Sequence, residues 1–257
     1  MRLNKAIAAS GHCSRRKADE LIARGEVAVN GIRIQALGTQ IDPQHDAVTV
    51  AGKRIELKDP SRTQHLYLAL HKPRGYVSTA RDPQGRKIVL DLLPQAINQQ
   101  RVVPAGRLDY NSEGLLLLSN DGALIYTLTH PGHHVEKVYQ VLVHGRVTQD
   151  RLQVMRRGMT LEEGENLSPI RVAVEEKASD KTWLRMILIQ GVNRQIRRMC
   201  RDLDLRVLRL IRTREGPVRL QGLPPGSFRH LRPSEIRALT DPACSPDTSG
   251  AGSGIED

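Results

Sequence analysis

Apolar and polar positions in the first 57 residues predict two helices followed by two hairpins. A short helix is predicted over Arg2–Ser10, and Ser14 is a suitable N-cap for a second helix that ends at Gly25. Two alternating stretches then flank Asn30-Gly31, a dipeptide typical of tight hairpin turns, and the pattern recurs in DAVTVAGKRIEL. We therefore expect this segment to fold as a small domain of its own.

Residues 66–239 carry most of the remaining apolar pattern and are predicted to form a larger domain. Strands are predicted at LYLALHK, KVYQVLVHG, PIRVAVEE and TWLRMILIQ, and helices over Gln149–Arg157 and Arg194–Leu203. The leucines of GLLLL predict a buried strand or a short helix. Because strands predominate and helices are interspersed irregularly, the predicted fold class is α+β, with a mixed, mainly antiparallel sheet flanked by helices.

Two polar segments set the limits of this larger domain. KDPSRTQH, residues 58–65, contains a proline and few apolar residues, so it is predicted to be a linker. From Thr240 onward the sequence TDPACSPDTSGAGSGIED has almost nothing to bury, and residues 240–257 are predicted to be a disordered tail.

Composition narrows the class of partner. The chain has 39 lysines and arginines against 28 acidic residues, a formal net charge of +11, and 3% aromatic residues. This charge predicts a polyanionic partner, either nucleic acid or an acidic membrane surface. No apolar stretch reaches the roughly 18 residues of a membrane span, the N-terminal segment lacks the apolar core of a signal peptide, and the three cysteines are scattered. We expect a soluble, monomeric protein of the cytoplasm.

Basic residues are concentrated at two places. Arg15, Arg16 and Lys17 occupy the first turn of the second predicted helix, where cations oppose the helix dipole, so a phosphate-facing role explains them better than helix stability does. Between residues 183 and 232 there are twelve arginines, no lysine and three acidic residues. Arginine binds phosphate through two N–H groups at once and stacks on bases, so this choice favours contact with RNA or DNA.

The segment NRQIRRMCRDL places several of these arginines on one predicted helix. Arg194, Arg197, Arg198 and Arg201 lie on adjacent faces, with apolar residues alongside. At least one of them is expected to lie over the apolar interior, where a guanidinium needs a carboxylate partner. Asp109, in GRLDYNSEGLLLLSNDG, is the candidate partner.

Three interpretations of Asp109 are open from the residues alone. D-Y-N-S-E-G matches the first six positions of a calcium-binding EF-hand loop, but Asn120 stands at position twelve, where a bidentate glutamate is needed. In a structural interpretation the carboxylate caps the amide of Asn111 or Ser112 in a turn. In a catalytic interpretation Asp109 is a nucleophile, Arg197 is its cation and the leucines are its rigid support.

The catalytic interpretation also needs a flat surface for a substrate ring, and Tyr76 and Tyr139 are the candidates. The metal alternative is a zinc site formed by His130, His133, His134 and His144. The proline and glycine of HPGHH favour a surface turn instead, so no metal is predicted. A non-catalytic RNA-binding or ribosome-assembly protein would explain the charge, but it would not explain a carboxylate among apolar residues.

Several of these segments resemble known families. SRRKADELIARGEVAVNG resembles the S4 RNA-binding domain. GRLDYNSEGLLLLSNDG resembles the active-site motif of the pseudouridine synthases, and LHKPRGYVST, HPGHHVEKVYQV and GVNRQIRRM fit the same family in the right order. The resemblance spans nearly all of residues 1–235, and it points to the branch that modifies bacterial ribosomal RNA and carries an N-terminal S4 domain.

The resemblance implies roles for individual residues. Asp109 is implied to be the catalytic aspartate, Tyr139 the aromatic residue that packs on the uracil, and Arg197 the salt-bridge partner of the aspartate. Arg107 resembles the arginine that helps to hold the RNA helix open when the base leaves. The residues predicted or implied to contact RNA are Arg15, Arg16, Lys17, Lys72, Tyr76, Arg107, Lys137, Arg194 and Arg198.

Two positions depart from the family pattern. Ser112 stands where threonine is usual and keeps the hydroxyl, whereas Gln190 stands where glutamate is usual and removes a charge. The implied reaction breaks the N1–C1′ bond of a uridine, turns the uracil and rejoins it through C5. Every atom is retained, so no cofactor or metal is implied. The motifs do not distinguish the large-subunit from the small-subunit ribosomal RNA as substrate.

Overall fold

The chain divides into two compact units, each with its own core. The computed structural model describes residues 1–57 and 64–240. One unit comprises Met1–Gln64 and the other begins at His65. Most of the predicted linker, residues 58–63, and the predicted tail after Thr240 lie outside the described residues.

The first unit is built from two helices and two hairpins, as the sequence predicts. Its elements are α1 (Leu3–Ser10), α2 (Arg15–Ala23), β1 (Val27–Val29), β2 (Ile32–Ile34), β3 (Val48–Val50) and β4 (Lys53–Ile55). Within residues 1–57 the strands pair in the order β2-β1-β3-β4. The Ser14 side chain accepts from the Lys17 amide and caps α2. Asn30 and Gly31 both have positive φ, which gives the tight turn that matches the twist of the strands.

The second unit contains the rest of the described elements. Its strands are β5 (Tyr67–Lys72), β6 (Val103–Pro104), β7 (Glu113–Ser119), β8 (Lys137–His144), β9 (Met159–Thr160), β10 (Asn166–Leu167), β11 (Arg171–Ala178), β12 (Lys181–Leu188), β13 (Arg206–Glu215), β14 (Val218–Arg219) and β15 (Phe228–His230). Its helices are α3 (Gln95–Asn98), α4 (Gly122–Thr129), α5 (Gln149–Arg157), α6 (Gln195–Asp202) and α7 (Pro233–Thr240).

A large mixed sheet organises the second unit. Within residues 64–240 its main strands run in the order β11-β12-β8-β13-β7-β5-β15, with β14 paired to β13 and β6 paired to β7. The β13–β7 pair is parallel, and the neighbours on either side of it are antiparallel. The predicted α+β class with a mixed, mainly antiparallel sheet is therefore confirmed.

Helices cover the sheet at separate places. α5 and α6 pack on strands β8, β11 and β12 through a core that includes Val141, Leu184 and Met199. α4 and α7 pack on β7, where Leu115 and Leu117 are fully or almost fully buried. The alternate leucines of β7 face a third cluster on the other side of the sheet. None of the helices in the described ranges is long and apolar enough to cross a membrane.

The ten-residue strand β13 is the main element that the apolar pattern did not predict. The pattern identified β5, β8, β11, β12, α5 and α6, but the arginines of RVLRLIRTRE hid a strand that lies in the middle of the sheet. Arg212 within it is almost completely buried. An arginine can be buried in a sheet when other residues of the fold balance its charge. The periodicity of the sequence does not show which residues those are.

Candidate active site

The loop that carries Asp109 joins β6 to β7 and is fixed on both sides of the aspartate. Before it, the backbone amide of Leu108 donates to Ser78 Oγ at 3.1 Å, and the same hydroxyl donates to the Leu108 carbonyl at 2.9 Å. After it, the Ser112 amide donates to the Asp109 carbonyl at 3.0 Å. Asp109 therefore sits in a turn made by its backbone, and its carboxylate, 28% exposed, is free for other contacts.

Two guanidinium groups from the start of α6 face this carboxylate. Asp109 Oδ2 lies 3.4 Å from Arg194 Nη1 and 3.5 Å from Arg197 Nε. Arg197 also donates through Nη2 to the Asn111 carbonyl at 2.9 Å and to Ser112 Oγ at 3.2 Å. The hydroxyl group of Ser112, which replaces the usual threonine, therefore accepts a hydrogen bond from Arg197. Arg197 joins the loop to α6 at three points.

The sequence of α6 explains why Arg197 points at the loop. Ile196, Met199 and Cys200 are buried against the sheet, so residue 197 lies at the border of the apolar face, with its side chain 16% exposed. Burial lowers the pKa of Arg197, while the charge of Asp109 raises it. Arg194 precedes the helix with a φ of +51°, a strained conformation for a residue with a side chain.

Lys72 lies beneath the loop and not on an RNA-facing surface. Its side chain is fully buried, and its amine donates to the carbonyls of Ser112 at 2.7 Å, Asp109 at 3.0 Å and Pro73 at 3.1 Å. A side chain in this position cannot contact RNA, so the RNA-binding role predicted for Lys72 is wrong. Its role is to tie the turn around Asp109 to the end of β5.

Tyr139 adjoins a buried ionic network that the sequence did not predict. The Arg212 side chain donates from Nε to the Leu115 carbonyl at 2.7 Å, and its Nη2 lies 3.2 Å from Glu215 Oε2. Burial raises the pKa of the Tyr139 phenol. Burial alone would lower the pKa of Arg212, but Glu215 and Tyr139 raise it overall. The Tyr139 ring packs against two apolar clusters of the second unit.

Gly114 lets β7 approach β13 at this network. Its φ is +107°, and a Cβ at this position would lie 2.3 Å from the Arg212 carbonyl oxygen. Any larger residue would push the two parallel strands apart. The glycine after Glu113 therefore sets the distance between the Asp109 loop and the Arg212 strand.

Comparison with known proteins places this arrangement in a family. A family model described as RNA pseudouridylate synthase matches residues 66–202, and an S4 domain model matches residues 1–48. The chain belongs to the RNA pseudouridylate synthase family. The predicted family membership, with an N-terminal S4 domain, is confirmed.

Full-length relatives and a solved structure agree with this membership. The ribosomal large subunit pseudouridine synthase B of Bacillus subtilis is 38% identical over 93% of this chain and 95% of its own length. A protein of the same name from Yersinia pestis is 35% identical over 90% of this chain and 72% of its own length. A crystal structure of a pseudouridylate synthase is 27% identical with a TM-score of 0.66, and the match covers 93% of this chain and 99% of that one.

The remaining predicted site residues of this synthase have diverse surroundings. Arg107 is exposed and has no side-chain partner among the described residues. Tyr76 is half-buried, with Lys87 Nζ 6.0 Å from its ring centroid. The Lys137 amine donates to the Val135 carbonyl at 3.1 Å. Its side chain is 17% exposed and lies 3.9 Å from Glu215 Oε1, so it extends the network below Tyr139.

Arg198 is engaged by carboxylates. It pairs with Glu165 at 2.6 Å and with Glu163 at 3.2 Å, both from the turn between β9 and β10. Arg15, Arg16 and Lys17 belong to the S4 unit, where all three are exposed. The RNA contacts of these four residues stay a prediction.

Two further features bear on the alternatives that the sequence left open. His130 and His133 lie in a short turn and face each other and the Tyr126 ring, with ring centroids 4.7 to 5.8 Å apart. Within residues 1–57 and 64–240, no group of three or more histidine, cysteine or acidic side chains is arranged to hold a metal ion. Gln190, the second departure from the family pattern, accepts from the Ser168 amide at 2.9 Å.

Sequence reasoning missed Arg212 and Glu215 as parts of the site. Their signal was an arginine and a glutamate three residues apart in LIRTREG, a segment that the sequence analysis treated only as part of the arginine-rich stretch between residues 183 and 232. Glu113 was also missed. It lies between Arg209 at 3.0 Å and Arg74 at 3.2 Å, and it anchors the first residue of β7.

Proposed function

We propose that this protein converts a uridine of ribosomal RNA to pseudouridine, with Asp109 as the nucleophile. The observation that carries the proposal is the Asp109 carboxylate, part-exposed and held 3.4 and 3.5 Å from two guanidinium groups on a loop fixed from below by Lys72. A carboxylate so paired is a poor general acid and a well-positioned nucleophile.

The proposed chemistry is an isomerisation in which all atoms of the nucleoside stay. The N1–C1′ bond breaks, the uracil turns, a C5–C1′ bond forms, and the proton from C5 leaves to solvent while N1 gains one. Asp109 acts by attack on C1′, by abstraction at C2′ after the base departs, or by addition to C6. Each of these routes needs the carboxylate beside the sugar and base of one nucleotide, and none needs an oxidant.

Arg197 and Tyr139 position the reacting groups in this proposal. Arg197 balances the Asp109 charge and locks the loop through Asn111 and Ser112, so the carboxylate does not reorganise during the reaction. Tyr139 packs against the uracil ring. Its ring is held by the two apolar clusters against which it packs, so it presents a constant surface.

The target base leaves its helix to reach Asp109, because a stacked uracil is inaccessible to a side chain. This base flipping costs a few kcal/mol, and contacts with the vacated helix offset the cost. Arg107 is suited to that role, since it is exposed, two residues from Asp109 and without a side-chain partner in the described part of the chain. Arg194, Arg15, Arg16 and Lys17 bind the surrounding phosphates in this proposal.

The names of the relatives support ribosomal RNA of the large subunit as the substrate class. Curated relatives from Bacillus subtilis, Yersinia pestis and Pseudomonas aeruginosa are each named ribosomal large subunit pseudouridine synthase B, with 35 to 38% identity to this chain. On the same ground we propose that the protein acts in the cytoplasm.

Tritium release tests the proposed reaction and substrate together. Purified full-length protein is incubated with in vitro transcripts of large-subunit and small-subunit ribosomal RNA that carry tritium at C5 of uridine. We expect about one equivalent of tritium per large-subunit transcript and none from the small-subunit transcript. Release from the small subunit alone would contradict the substrate, and release from neither transcript would contradict the function.

A further inference from the structure

A groove lies on the face of the large sheet that turns away from α6. Tyr139 and Val141 of β8 pack with the core beneath α6, so Val138 and Gln140, which alternate with them, face the opposite side. Arg185 of β12 is the cross-strand partner of Gln140 and lies in the same groove. The groove is therefore separate from the Asp109 site.

The groove is large enough for a ligand and is predominantly cationic. It encloses about 380 Å³, within the range of about 300 to 1,000 Å³ that ligand sites occupy. Three guanidinium groups line it, from Arg185, Arg214 and Arg219, against the single carboxylate of Glu175 among its described lining residues. The Gln140 amide donates to Glu175 at 3.1 Å, which occupies that carboxylate.

The three guanidinium groups are incompletely satisfied. Arg185 and Arg219 have no side-chain hydrogen bond or ion pair to any residue in the described ranges. Arg214 pairs at one end with Glu136 at 2.6 Å, but its Nε is buried without a hydrogen-bond partner in the same part of the chain. The exposed charges of Arg185 and Arg219 are therefore available to a bound anion.

Two of these arginines are placed against each other. Arg214 of β13 and Arg219 of β14 are direct cross-strand partners. Like charges at directly opposite positions of an antiparallel pair destabilise it. Glu136 balances the charge of Arg214, and an anion beside Arg219 would relieve the repulsion that remains.

We propose that this groove binds the phosphodiester backbone of an RNA strand, as a second contact surface on the side of the sheet opposite the Asp109 site. Arginine's planar fork is suited to two oxygens of one phosphate. No aromatic ring is among the described residues that line the groove, so the groove has no surface on which a base could stack. It is therefore suited to contact the phosphates of the RNA and not its bases. The inference rests on the proposed function for the identity of the RNA as ribosomal RNA.

Salt-dependent RNA binding tests the groove directly. Full-length protein is titrated with a large-subunit ribosomal RNA transcript over a series of KCl concentrations, and the slope of log K against log salt is compared with that of R185Q/R219Q. Both residues are exposed in the groove and unpaired within the described chain, so the variant is expected to fold. Loss of two phosphate contacts reduces the slope by about 1.4 to 1.8, since each contact contributes about 0.7 to 0.9.

Two control variants separate the groove from general charge. R146Q/R157Q removes two exposed arginines of the same unit outside the groove and is expected to keep the wild-type slope. R185K/R219K retains the two positive charges and is expected to keep most of the wild-type salt slope. Equal slopes for R185Q/R219Q and wild type would overturn the proposal.

A competition arm identifies the source of the phosphate. If R185Q/R219Q loses binding of ATP but keeps the RNA slope, the groove serves a free phosphate ligand and the RNA proposal is overturned. Tritium release by the wild type on the same transcript reports the proposed function separately. A reduced slope without any release would support the groove while contradicting the reaction.

Discussion

Different neighbours control the charge and the backbone of Asp109. Arg194 and Arg197 contact its carboxylate, whereas the Lys72 amine contacts its carbonyl and that of Ser112. The two sets act on the same turn from opposite sides. The carboxylate is thus positioned by side chains from β5 and from α6, which are distant along the sequence.

The pH behaviour of Lys72 follows from its burial. Burial lowers the pKa of the Lys72 amine to about 8, although the charges of Asp109 and Glu113 raise it. NMR of ¹³C-labelled lysine should show one amine that titrates near pH 8, while ordinary lysines titrate near about 10.4. A variant with Lys72→Met identifies the signal. A Lys72 midpoint above pH 10 would contradict its proposed environment.

The same shift predicts how stability changes with pH. The unfolded chain keeps the Lys72 proton up to about pH 10.4, so between pH 8 and that value the unfolded state binds more protons. The contribution of Lys72 to stability therefore rises with pH in this window. Urea unfolding at pH 8 and pH 10 should show the wild type gaining stability relative to Lys72→Met. At pH 7 that variant should be less stable by about 1 to 3 kcal/mol, because buried carbonyls lose their donor. A pH-independent difference would contradict the shift.

At this scale the sequence predicts surface charges better than buried ones. An arginine over an apolar interior needs a carboxylate partner, which predicts the pair of Arg197 and Asp109, and these two side chains are in contact. Lys72 was misassigned because a lysine at a strand end looks the same whether it faces solvent or a loop. The pairing of Arg212 with Glu215 depends on the burial of β13, which local sequence does not reveal.

At the scale of elements, α6 carries arginines that are already held by acidic side chains. Glu163 and Glu165, in the turn between β9 and β10, pair with Arg198, and Glu163 also pairs with Arg201 at 2.8 Å. Hydrogen bonding from Arg201 lowers the pKa of Glu163 to about 2. These carboxylates occupy the donors that phosphate would otherwise use.

Removing these two carboxylates should strengthen RNA binding. In E163Q/E165Q the guanidinium groups of Arg198 and Arg201 become available, and we expect a steeper salt dependence, by about 0.7 to 0.9 for each new phosphate contact. The matched control is D150N/E176Q, which removes two exposed acidic charges elsewhere in the same unit. Equal slopes for the two double variants would show that the turn does not restrain the helix arginines.

Element prediction succeeded where local chemistry determines the structure. The cap of α2 by Ser14 and the turn at Asn30-Gly31 depend on neighbouring residues, and both are present. The apolar pattern did not predict β13, because its arginines are compatible with a strand only through contacts from β7 and β8. Gly114, which admits the β13 backbone, could be recognised as special only after the pairing was known.

At the scale of the whole molecule, the two units have separate hydrophobic cores. The S4 unit is built on Leu3, Ile7, Ile22 and Val48, and none of the core clusters of the described residues draws on both units. The larger unit should therefore fold without residues 1–63. The exposed Arg15, Arg16 and Lys17 would be lost with the smaller one.

Deletion of residues 1–63 tests this division. We expect the remaining chain to keep a cooperative unfolding transition, while its affinity for large-subunit ribosomal RNA and the salt dependence of that affinity both fall. Thermal unfolding followed by circular dichroism checks the first result, and filter binding over a KCl series checks the second. Unchanged binding would contradict an RNA-gripping role for the S4 unit.

The central claim is that the Asp109 carboxylate performs the isomerisation. Its most direct test is single-turnover tritium release from large-subunit ribosomal RNA labelled at C5 of uridine, measured for wild type and for Asp109→Asn. The variant retains the shape of the side chain and should bind the RNA at least as tightly, because a negative charge is removed. We predict that its rate falls by at least about 10³-fold, as for loss of a nucleophile. Wild-type release by Asp109→Asn would contradict the account.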